Sequence, residues 1–493
     1  MREVGNRLAG RVLCAALLLT AVPAGFPAAA TPPPPAWEPP PVNMAALPKD
    51  TPPGPPAGIT YTQKNQCVSS SGPQLPLPDQ PGAQAMLDIR TAQQFSTGAG
   101  VKVAVIDTGV NPNPFLTDHG RLKGGGDYIT PQQHNGTFDC DGHGTLTAGI
   151  VAANTSGSPV GFTGVAPAAT IYAIRQTSTV YSEQFHGQDT GLAAGSPSTL
   201  ASAIVHAVNL GVGVITTSVD TCLLTRQAVA EMHTPDSPEQ QLQAAIAYAV
   251  NHDVVVVNSA GNVSSQPEGN GQQQASSSPC ASVPQNNHPD PNDVQEIEVP
   301  AVFSGNLLSV ASVNPDTGSV SAFSVWGPWV NIAAPGERIV SVNPAVGGTG
   351  LAASFAEPGS SGQPGAIQGT SFAAPYVAGV VALVRSRYPA LTARQVIYRI
   401  EATAQHPSGP GGRNNQIGYG VVNPVAALTA SLPGQAGVPA NADQALRPVL
   451  PRDAVKDWTP VRVALLGTVI AVAALLGTVF VVRTIRRRAD RRG

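Results

Sequence analysis

The chain reads Gln368-Gly369-Thr370-Ser371-Phe372-Ala373-Ala374-Pro375, and the apolar run Tyr376-Val377-Ala378-Gly379-Val380-Val381-Ala382-Leu383-Val384 follows at once. This run is long enough for a buried helix. Proline is accepted in the first turn of a helix, where its missing N–H has no intrahelical partner to lose, so the helix should begin at or next to Ser371. A serine there meets free backbone N–H groups and the positive end of the helix dipole, either as an ordinary N-cap or as a nucleophile.

The composition favours one large folded domain with appended segments. Of the 493 residues, 42% are hydrophobic and only 12% are charged, which supports a sizeable buried core. The chain also contains 51 glycines and 48 prolines, so loops and linkers take a large share of it.

Both ends of the chain carry membrane-related features. Residues 1–30 combine a basic start, an apolar stretch and a small-residue cleavage site, which predicts a signal peptide. Residues 463–482 carry no charge and have the length of a transmembrane helix, and the Arg-rich tail 483–493 follows them. By the positive-inside rule the tail is cytoplasmic, so we expect a single-pass protein of the cell membrane whose main domain lies outside the cytoplasm.

The charge of the external part excludes one class of partner. Without the predicted signal peptide and tail, 18 Lys and Arg stand against 28 Asp and Glu, a net charge of about −10. Nucleic-acid-binding surfaces are basic, so nucleic acid is not an expected partner.

Four cysteines lie in the external part, and they are Cys67, Cys140, Cys222 and Cys280. An even number in an exported chain predicts two disulfides, with three possible pairings. We expect Cys67 to pair with Cys140 and Cys222 with Cys280, because each pair then ties a loop-rich segment to a core element. The chain has no zinc-type ligand spacing and no dense carboxylate loop, so no metal and no cofactor are expected.

Strands and helices alternate from about residue 84 onward. The predicted strands are 101–106, 171–174, 212–218, 254–258, 307–313 and 330–333, and the predicted helices include 85–95, 199–210, 238–251 and 392–402. Such alternation predicts an α/β domain whose mostly parallel central sheet carries helices on both faces.

The domain boundaries follow from changes in composition. We expect a Pro-rich N-terminal extension at 31–83, the α/β domain at 84–430 and a Pro/Ala-rich linker at 431–462. The prolines of 31–55 predict an extended stretch that buries little surface and forms no strand ladder. Residues 176–198 and 263–298 are rich in Ser, Gln, Asn, Pro and Gly, and they are expected to be long loops, either binding elements or disordered surface.

Two further motifs complement Ser371. Asp107-Thr108-Gly109 ends the predicted strand 101–106, and Asp141-Gly142-His143-Gly144-Thr145 directly precedes an apolar helix. Parallel strands end at one edge of a sheet, which is where such folds place their functional sites. An Asp, a His and a Ser that converge there form a nucleophile, its base and the carboxylate that orients the base.

These motifs resemble those of the subtilisin-like serine proteases over roughly residues 84–428. The resemblance implies that Asp107, His143 and Ser371 form the catalytic triad. Asn258-Ser259-Ala260-Gly261-Asn262 is similar to the family's oxyanion-hole segment, which implies that Asn262 binds the oxyanion. Residues 214–220 look like the family's substrate-binding strand, so Ser218 and Gly261 are candidate substrate-binding residues.

The chain also carries a motif pair typical of a second class of protease. Asp107-Thr108-Gly109 and Asp316-Thr317-Gly318 are two DTG triplets, as in aspartic proteases, whose paired carboxylates share a proton. The second triplet follows Asn314-Pro315, so it is predicted to be a β-turn rather than the end of a buried strand.

The whole plan is similar to that of the mycosins, the membrane-anchored subtilisin-like proteases of type VII secretion systems. The features that agree with this family are a signal peptide, an N-terminal extension with one cysteine, a cysteine beside the His motif, inserted loops, a linker, a single span and an Arg-rich tail. This resemblance implies protein substrates, association with a type VII secretion membrane complex and an extension that wraps the domain. A removable propeptide is the alternative for the extension.

Two functions are compatible with these features. In the first, the protein is a membrane-anchored serine endopeptidase that processes exported proteins through an acyl-enzyme. In the second, it is chiefly a structural subunit of the secretion complex. Intact triad motifs favour retained catalysis, whereas Val219-Asp220 stands where the family often has glycine and leaves the cleavage preference open.

Overall fold

The computed structural model describes residues 35, 37–68, 79–131, 133–263, 294–356, 358, 364–408, 410–435 and 483. The predicted signal peptide, Cys280 and the predicted span at 463–482 lie outside these residues. None of the helices within the described ranges combines the length and apolar character of a membrane span.

Helices and strands alternate along much of the described chain. The helices are α1 Gly82–Met86, α2 Ile89–Ala92, α3 Pro114–Thr117, α4 His143–Ala152, α5 Pro197–Asn209, α6 Thr225–His233, α7 Pro238–Asn251, α8 Thr370–Arg387, α9 Ala393–Ala402 and α10 Pro424–Thr429. The strands are β1 Ile59–Gln63, β2 Lys102–Asp107, β3 Leu122–Asp127, β4 Thr170–Arg175, β5 Ser178–Phe185, β6 Gln188–Ala194, β7 Val214–Thr217, β8 Thr221–Leu224, β9 Val255–Ser259, β10 Glu296–Val299, β11 Leu308–Val313, β12 Ile332–Pro335, β13 Ser341–Val342, β14 Leu351–Ala352, β15 Ser354–Phe355 and β16 Gly365–Ala366.

A seven-stranded sheet forms the centre of the fold. Its strand order is β12-β11-β9-β7-β2-β4-β3, and every neighbouring pair is parallel. Every residue of β7, β9, β11 and β12 is buried. Since consecutive residues of a strand point to opposite faces, both faces of the sheet are covered. Helices α4 and α8 pack together against the sheet, as do α5 and α7, so the predicted α/β class is confirmed.

The apolar run after Ser371 forms α8, which begins at Thr370. The sequence predicted Pro375 in the first turn of this helix. This expectation is wrong, because the helix begins at Thr370 and Pro375 lies beyond its first turn. A proline at this depth cannot donate to the carbonyl four residues earlier, which belongs to Ser371. The helix tolerates the loss because that carbonyl accepts a hydrogen bond from the Ser218 side chain.

The single helix predicted over 85–95 is divided into α1 and α2. Asp88 has φ 49°, in the left-handed region, and so interrupts the helix between them. Aspartate tolerates this conformation better than most residues, and a periodicity argument cannot detect it.

The inserted segment 176–198 is a β-hairpin rather than a loop or disordered surface, so that expectation is wrong. Strands β5 and β6 are joined by His186-Gly187, and both of these residues have positive φ, as a tight hairpin turn requires. Strand β1 of the extension pairs antiparallel with β5, which gives a three-stranded sheet in the order β1-β5-β6. Composition alone missed the hairpin because residues rich in Ser, Gln and Gly are typical of loops, whereas here two paired strands hold them, and β5 also pairs with β1 from more than a hundred residues away.

The other inserted segment, 263–298, ends in a strand. Strand β10 pairs antiparallel with β8, with Glu298 opposite Cys222. Residues 264–293 of this segment are outside the described residues.

The extension packs along the α/β domain. The Trp37 ring contacts Trp329 edge-on with centroids 6.1 Å apart. The main-chain oxygen of Pro40 accepts a hydrogen bond from Gln243 of α7 at 2.8 Å, and Ala46 is buried. The expectation that 31–55 buries little surface is therefore wrong for these residues, because an extended segment can cover a core that the domain has already built.

The predicted disulfide between Cys67 and Cys140 is confirmed. It joins the extension to the loop that precedes α4. Cys222 is also disulfide-bonded. Its predicted partner, Cys280, lies outside the described residues, so that pairing stays a prediction.

The double substitution Cys67→Ser and Cys140→Ser should destabilise the domain. The bond spans 73 residues of chain, so its loss restores conformational freedom to the unfolded state and costs about 2–4 kcal/mol. Urea denaturation of the full chain would measure the free energy of unfolding, and limited proteolysis would show cutting near β1. A free energy within about 0.5 kcal/mol of the wild type would contradict this expectation.

Candidate active site

The predicted site residues meet at the carboxyl edge of the central sheet. Asp107 is the last residue of β2, Ser218 directly follows β7, and Asn262 follows β9. These three strands are consecutive in the sheet order β9-β7-β2. His143 and Ser371 lie in the first turns of α4 and α8.

Asp107 and His143 form a direct pair. The Oδ1 atom of Asp107 lies 2.7 Å from Nδ1 of His143, and Asp107 is only 1% exposed. The same carboxylate also accepts a hydrogen bond from the Thr108 N–H at 2.7 Å. A carboxylate at Nδ1 selects the tautomer that carries its proton there, which leaves Nε2 as the free base.

The surroundings of His143 favour its protonated form. Burial by itself lowers the pKa of His143, but the carboxylate of Asp107, assisted by Asp139 and Asp141, raises that pKa to about 9. The imidazole therefore holds a proton more firmly than an ordinary histidine, for which the pKa is about 6.5.

Asp139 is a site residue that sequence reasoning missed. Its buried carboxylate accepts hydrogen bonds from the N–H groups of Gly142 and Thr145 at 2.7 and 2.8 Å. The hydroxyls of Thr145 and Thr108 donate to it at 2.6 and 2.8 Å. Asp139 thus fixes the loop of His143 to the loop of Asp107. Asp139 and Asp141 flank Cys140 just before His143, and this acidic pair was the sequence feature that pointed to Asp139.

Burial affects the charge of this carboxylate. Together with the nearby Asp141, burial raises the pKa of Asp139 to about 6, although the hydrogen bonds from Thr145 and Thr108 lower it. Above about pH 6 the carboxylate of Asp139 is ionised, and its charge is stabilised almost entirely by hydrogen bonds.

Ser371 is the second residue of α8, so its N–H has no partner within the helix. Gly369 precedes the helix with φ 149°, and a Cβ on it would lie 2.9 Å from the Ser371 hydroxyl. Glycine is therefore required for an unobstructed approach to Ser371. The ring of the next residue, Phe372, packs on the His143 imidazole with centroids 4.8 Å apart.

Ser218 binds the main chain of the same helix. Its hydroxyl donates to the Ser371 carbonyl oxygen at 3.3 Å. Pro375 leaves that carbonyl without its usual helical donor, so the hydroxyl replaces the missing N–H. The candidate substrate-binding residue is thus also attached to Ser371, the predicted nucleophile.

Asn262 has a fixed amide orientation. Its Oδ1 atom accepts from the N–H of Thr370 at 2.9 Å and from the Thr370 hydroxyl at 3.2 Å. A backbone N–H can only donate, so the amide oxygen must face Thr370 and the NH₂ group faces away from it. Thr370, which sequence reasoning did not single out, therefore determines how Asn262 presents its donor.

Gly261, the other candidate substrate-binding residue, has φ 99°. A Cβ at this position would collide with the carboxylate of Glu298. Glycine therefore allows the close approach of a carboxylate beside Asn262.

The second DTG triplet is a surface turn, as predicted. Asp316 is exposed and pairs with Arg338, and the N–H of Asn314 bonds to the carbonyl of Ser319 across the turn. Because Asp107 pairs with His143 instead, the two triplets do not form the carboxylate dyad of an aspartic protease.

The arrangement of these groups is suited to acyl transfer. It combines a hydroxyl at a helix N-terminus, an imidazole oriented by a buried carboxylate, and two N–H donors from Ser371 and Asn262. A carbonyl placed between these donors and the hydroxyl would be polarised and open to attack.

The raised pKa of His143 should make stability depend on pH. In the folded protein the pKa is about 9, whereas in the unfolded chain it is about 6.5, so protonated His143 stabilises the fold at low pH. This contribution is complete below about pH 6.5 and is lost as the pH rises through 9. We expect the free energy of unfolding of the wild type to fall across this window.

The matched variant is Asp107→Asn, which removes the carboxylate that does most to raise the pKa. Urea denaturation between pH 6 and pH 9.5 should show a clearly flatter profile for this variant, and Asp316→Asn should follow the wild type. Equal slopes for wild type and Asp107→Asn would contradict the assignment.

The comparisons with known proteins place the chain among proteases. Residues 98–420 match the model of the family described as Peptidase_S8, Subtilase family. Mycosin-3 of Mycobacterium tuberculosis (strain ATCC 25618 / H37Rv) is 40% identical, with 97% of this chain and 99% of that protein covered. Mycosin-1 of the same strain is also 40% identical, with 89% and 91% covered.

Solved structures agree with these relatives. The crystal structure of MycP1 from the ESX-1 type VII secretion system matches with a TM-score of 0.66 at 38% identity, covering 80% of this chain and 97% of that one. A chain in the structure of an intact ESX-5 inner membrane complex matches with a TM-score of 0.66 at 35% identity, covering 90% and 99%.

Proposed function

This chain belongs to the subtilase family of serine endopeptidases and, within it, to the mycosins, and from that premise we propose how its residues cleave a peptide bond. Ser371 is the nucleophile, His143 is the base and then the acid, and Asp107 orients His143. Asn262 and the Ser371 N–H bind the oxyanion. The observation that carries the proposal is the 2.7 Å contact between Asp107 and His143, beside the N-terminus of α8.

The reaction proceeds in two halves. The Oγ atom of Ser371 forms a bond to the peptide carbonyl carbon while Nε2 of His143 takes the hydroxyl proton. The C–N bond then breaks, and the same proton passes from His143 to the leaving amine. Water attacks the resulting ester with His143 again as base, which releases the carboxylic acid and restores Ser371.

The raised pKa of His143 has a kinetic consequence for this mechanism. Only the neutral imidazole can accept the proton of Ser371, so kcat/KM rises as the pH approaches the pKa of about 9. Asp107 therefore has two opposing effects. It stabilises the imidazolium that forms during the reaction, and it lowers the fraction of His143 that is neutral at neutral pH.

Substrate would bind as an extended strand along residues 218–220. These residues continue β7 beyond the central sheet, and a peptide beside them would form main-chain hydrogen bonds by β-augmentation. Ser218 and Gly261 then flank the residue whose carbonyl is attacked.

The cellular setting belongs to the same proposal. The predicted signal peptide at 1–30, span at 463–482 and Arg-rich tail place the domain outside the cytoplasmic membrane. The similar chain in an ESX-5 inner membrane complex supports a type VII secretion membrane complex as the partner. We therefore propose limited processing of exported proteins by a membrane-anchored subunit, with the extension at 31–83 retained on the domain.

Active-site labelling of the full chain in detergent tests the catalytic assignment. A fluorophosphonate should label the wild type and fail to label Ser371→Ala, and kcat should fall by at least about 10⁴-fold in the latter. Asn262→Ala should fold and should lose about 10²–10³ in kcat, because one oxyanion donor is gone. Asp316→Asn, in the exposed second triplet, is the control and should retain full activity. Labelling that persists in Ser371→Ala would refute the assignment of the nucleophile.

Membrane fractionation tests the anchor. The full chain should remain in the membrane after a high-pH carbonate wash, and a chain that ends at Trp458 should be released. Loss of the full chain in the wash would contradict the span at 463–482.

The structural role of the protein can be separated from its catalysis in the same system. Ser371→Ala leaves the surface that would contact a secretion complex unchanged, so the variant should copurify with the complex as the wild type does. Normal export by this variant would favour the second candidate function, a structural subunit, which the likeness to a chain of an assembled membrane complex supports.

A further inference from the structure

A neighbouring ring on α8 covers the His143 imidazole. The centroid of the Phe372 ring lies 4.8 Å from that of the imidazole, and the two planes are inclined by 37°. This distance is within the range of favourable aromatic contacts, and the inclination is nearer to face-to-face than to edge-on. Phe372 is buried, whereas 26% of the His143 side chain is exposed. The exposed part of the imidazole therefore lies away from Phe372.

Phe372 is tied to the first turn of α8. It is the third residue of the helix, and its N–H donates to the carbonyl oxygen of Gly369 at 3.1 Å. Ser371 directly precedes it, so one turn carries both the ring and the proposed nucleophile. A shift of this turn relative to His143 would therefore displace both of them.

The hydrogen bond to Asp107 leaves the imidazole one freedom of movement. It holds only Nδ1, which lies 2.7 Å from Oδ1 of Asp107. The second side-chain torsion of histidine has broad minima, so the ring can still tilt about this contact and carry Nε2 away from Ser371. A flat side chain against the imidazole restricts that tilt. Phe372 is placed to give this restriction.

Four acidic groups act on His143 from three parts of the chain. Burial by itself lowers the pKa of His143, but Asp107 at the end of β2, together with Asp139 and Asp141 before α4, raises it to about 9. Asp220 follows β7. Burial raises the pKa of Asp220 to about 6, and the charge of His143 lowers it. These carboxylates all favour the protonated imidazole.

Helix α8 acts on the imidazole in a different way. Its sequence from Thr370 to Val384 contains no Asp, Glu, Lys, Arg or His. The positive end of the helix dipole lies at the first turn and disfavours a second positive charge there. The face of an aromatic ring carries partial negative charge, however, and attracts a cation within about 6 Å of the ring centre. Phe372 is thus the side chain of this turn that is placed to favour protonated His143.

We propose that Phe372 is a positioning residue for the base: its ring restricts the tilt of the His143 imidazole and stabilises the protonated form through its aromatic face. This rests on the proposed function and deepens it by adding a group that sets the pH dependence of the same site. The first effect depends on the shape of the side chain, and the second depends on the charge distribution of its ring. A residue that only filled the core between α4 and α8 would leave the pH dependence unchanged.

Fluorinated phenylalanines separate charge from shape. Monofluoro, difluoro and trifluorophenylalanine at position 372 of the full chain keep the ring nearly the same size and withdraw negative charge from its face step by step. Hydrolysis of p-nitrophenyl acetate in detergent, corrected for the rate with Ser371→Ala, gives kcat/KM as a function of pH. We expect the midpoint of this profile to move to lower pH with each step, by about half a pH unit for the trifluoro ring.

The same change should raise activity at neutral pH. A lower midpoint leaves more of His143 neutral at pH 7, and only the neutral form accepts the Ser371 proton. For the trifluoro ring, kcat/KM at pH 7 relative to the high-pH plateau of the same variant should therefore increase about threefold. A purely structural role predicts no such gain.

Phe372→Leu tests the restriction of tilt. Leucine is apolar but has no flat face, so the high-pH plateau of kcat should fall about tenfold while KM stays within about twofold. Phe372→Tyr restores the flat face and should recover most of the plateau. Phe162→Leu, a fully buried phenylalanine in the loop after α4, is the matched control and should keep the wild-type midpoint.

NMR of isotope-labelled histidine gives the His143 midpoint independently of catalysis. The His143 signal is assigned by its absence in His143→Gln, and its midpoint should follow the kinetic one across the fluorinated variants. Midpoints that do not move with fluorination would overturn the charge effect. A kcat plateau within about twofold of the wild type in Phe372→Leu, or in Phe372→Met should the leucine variant not fold, would overturn the positioning.

Failure of the proposed catalysis is distinguishable from failure of this inference. In the first case a fluorophosphonate does not label the wild type, while the NMR midpoints still report the effect of Phe372 on His143. In the second case the wild type is labelled but the midpoints stay fixed, which would remove Phe372 from the site and leave the catalytic assignment intact.

Discussion

The buried carboxylate of Asp107 is the constraint on which the site depends. It lies at the end of a central strand, and a carboxylate removed from water must be hydrogen-bonded or paired with a positive charge. His143 and the N–H of Thr108 meet that requirement. The geometry that satisfies the carboxylate is also the geometry that orients the imidazole, so the stability of this edge of the sheet and its chemistry have the same origin.

A second buried carboxylate keeps the first pair in place. Asp139 receives donors from Thr108 on one loop and from Gly142 and Thr145 on the other. The hydroxyl of Thr108 in turn accepts the N–H of Gly144. Because each of these bonds crosses between the two loops or fixes one of them, His143 cannot move away from Asp107 without leaving a buried charge unsatisfied.

The extension and the inserted hairpin are linked to the same loop. Cys140, three residues before His143, is bonded to Cys67 of the extension. The carboxylate of Asp141 accepts hydrogen bonds from the hydroxyl of Ser178 at 2.6 Å and from the N–H of Thr179 at 2.7 Å, at the base of the hairpin. The described part of the extension is therefore covalently attached to the imidazole loop, and the hairpin is hydrogen-bonded to the same loop.

The sequence alone determined the class of fold, the three motifs that converge at one edge of the sheet, and the start of α8 beside Ser371. Each of these has a local cause: β-branched runs make buried strands, capping residues begin helices, glycines flank His143, and Gly369 lies two residues before Ser371. Where a local cause was absent, sequence reasoning failed. The left-handed Asp88 that divides α1 from α2 escaped it, and so did the pairing of β1 with β5.

Only the tertiary structure decided which side chains surround the reacting groups. Ser218 supplies the hydrogen bond that Pro375 cannot, across 153 residues of chain, and Thr370 orients Asn262 across 108. Asp139 is hydrogen-bonded to Thr108 across 31 residues of chain, and the carboxylate of Glu298 lies against Gly261. These contacts form because the sheet brings together the ends of strands that are far apart in the sequence. The residues next to a given position in the sequence do not reveal which distant residues will lie beside it in the fold.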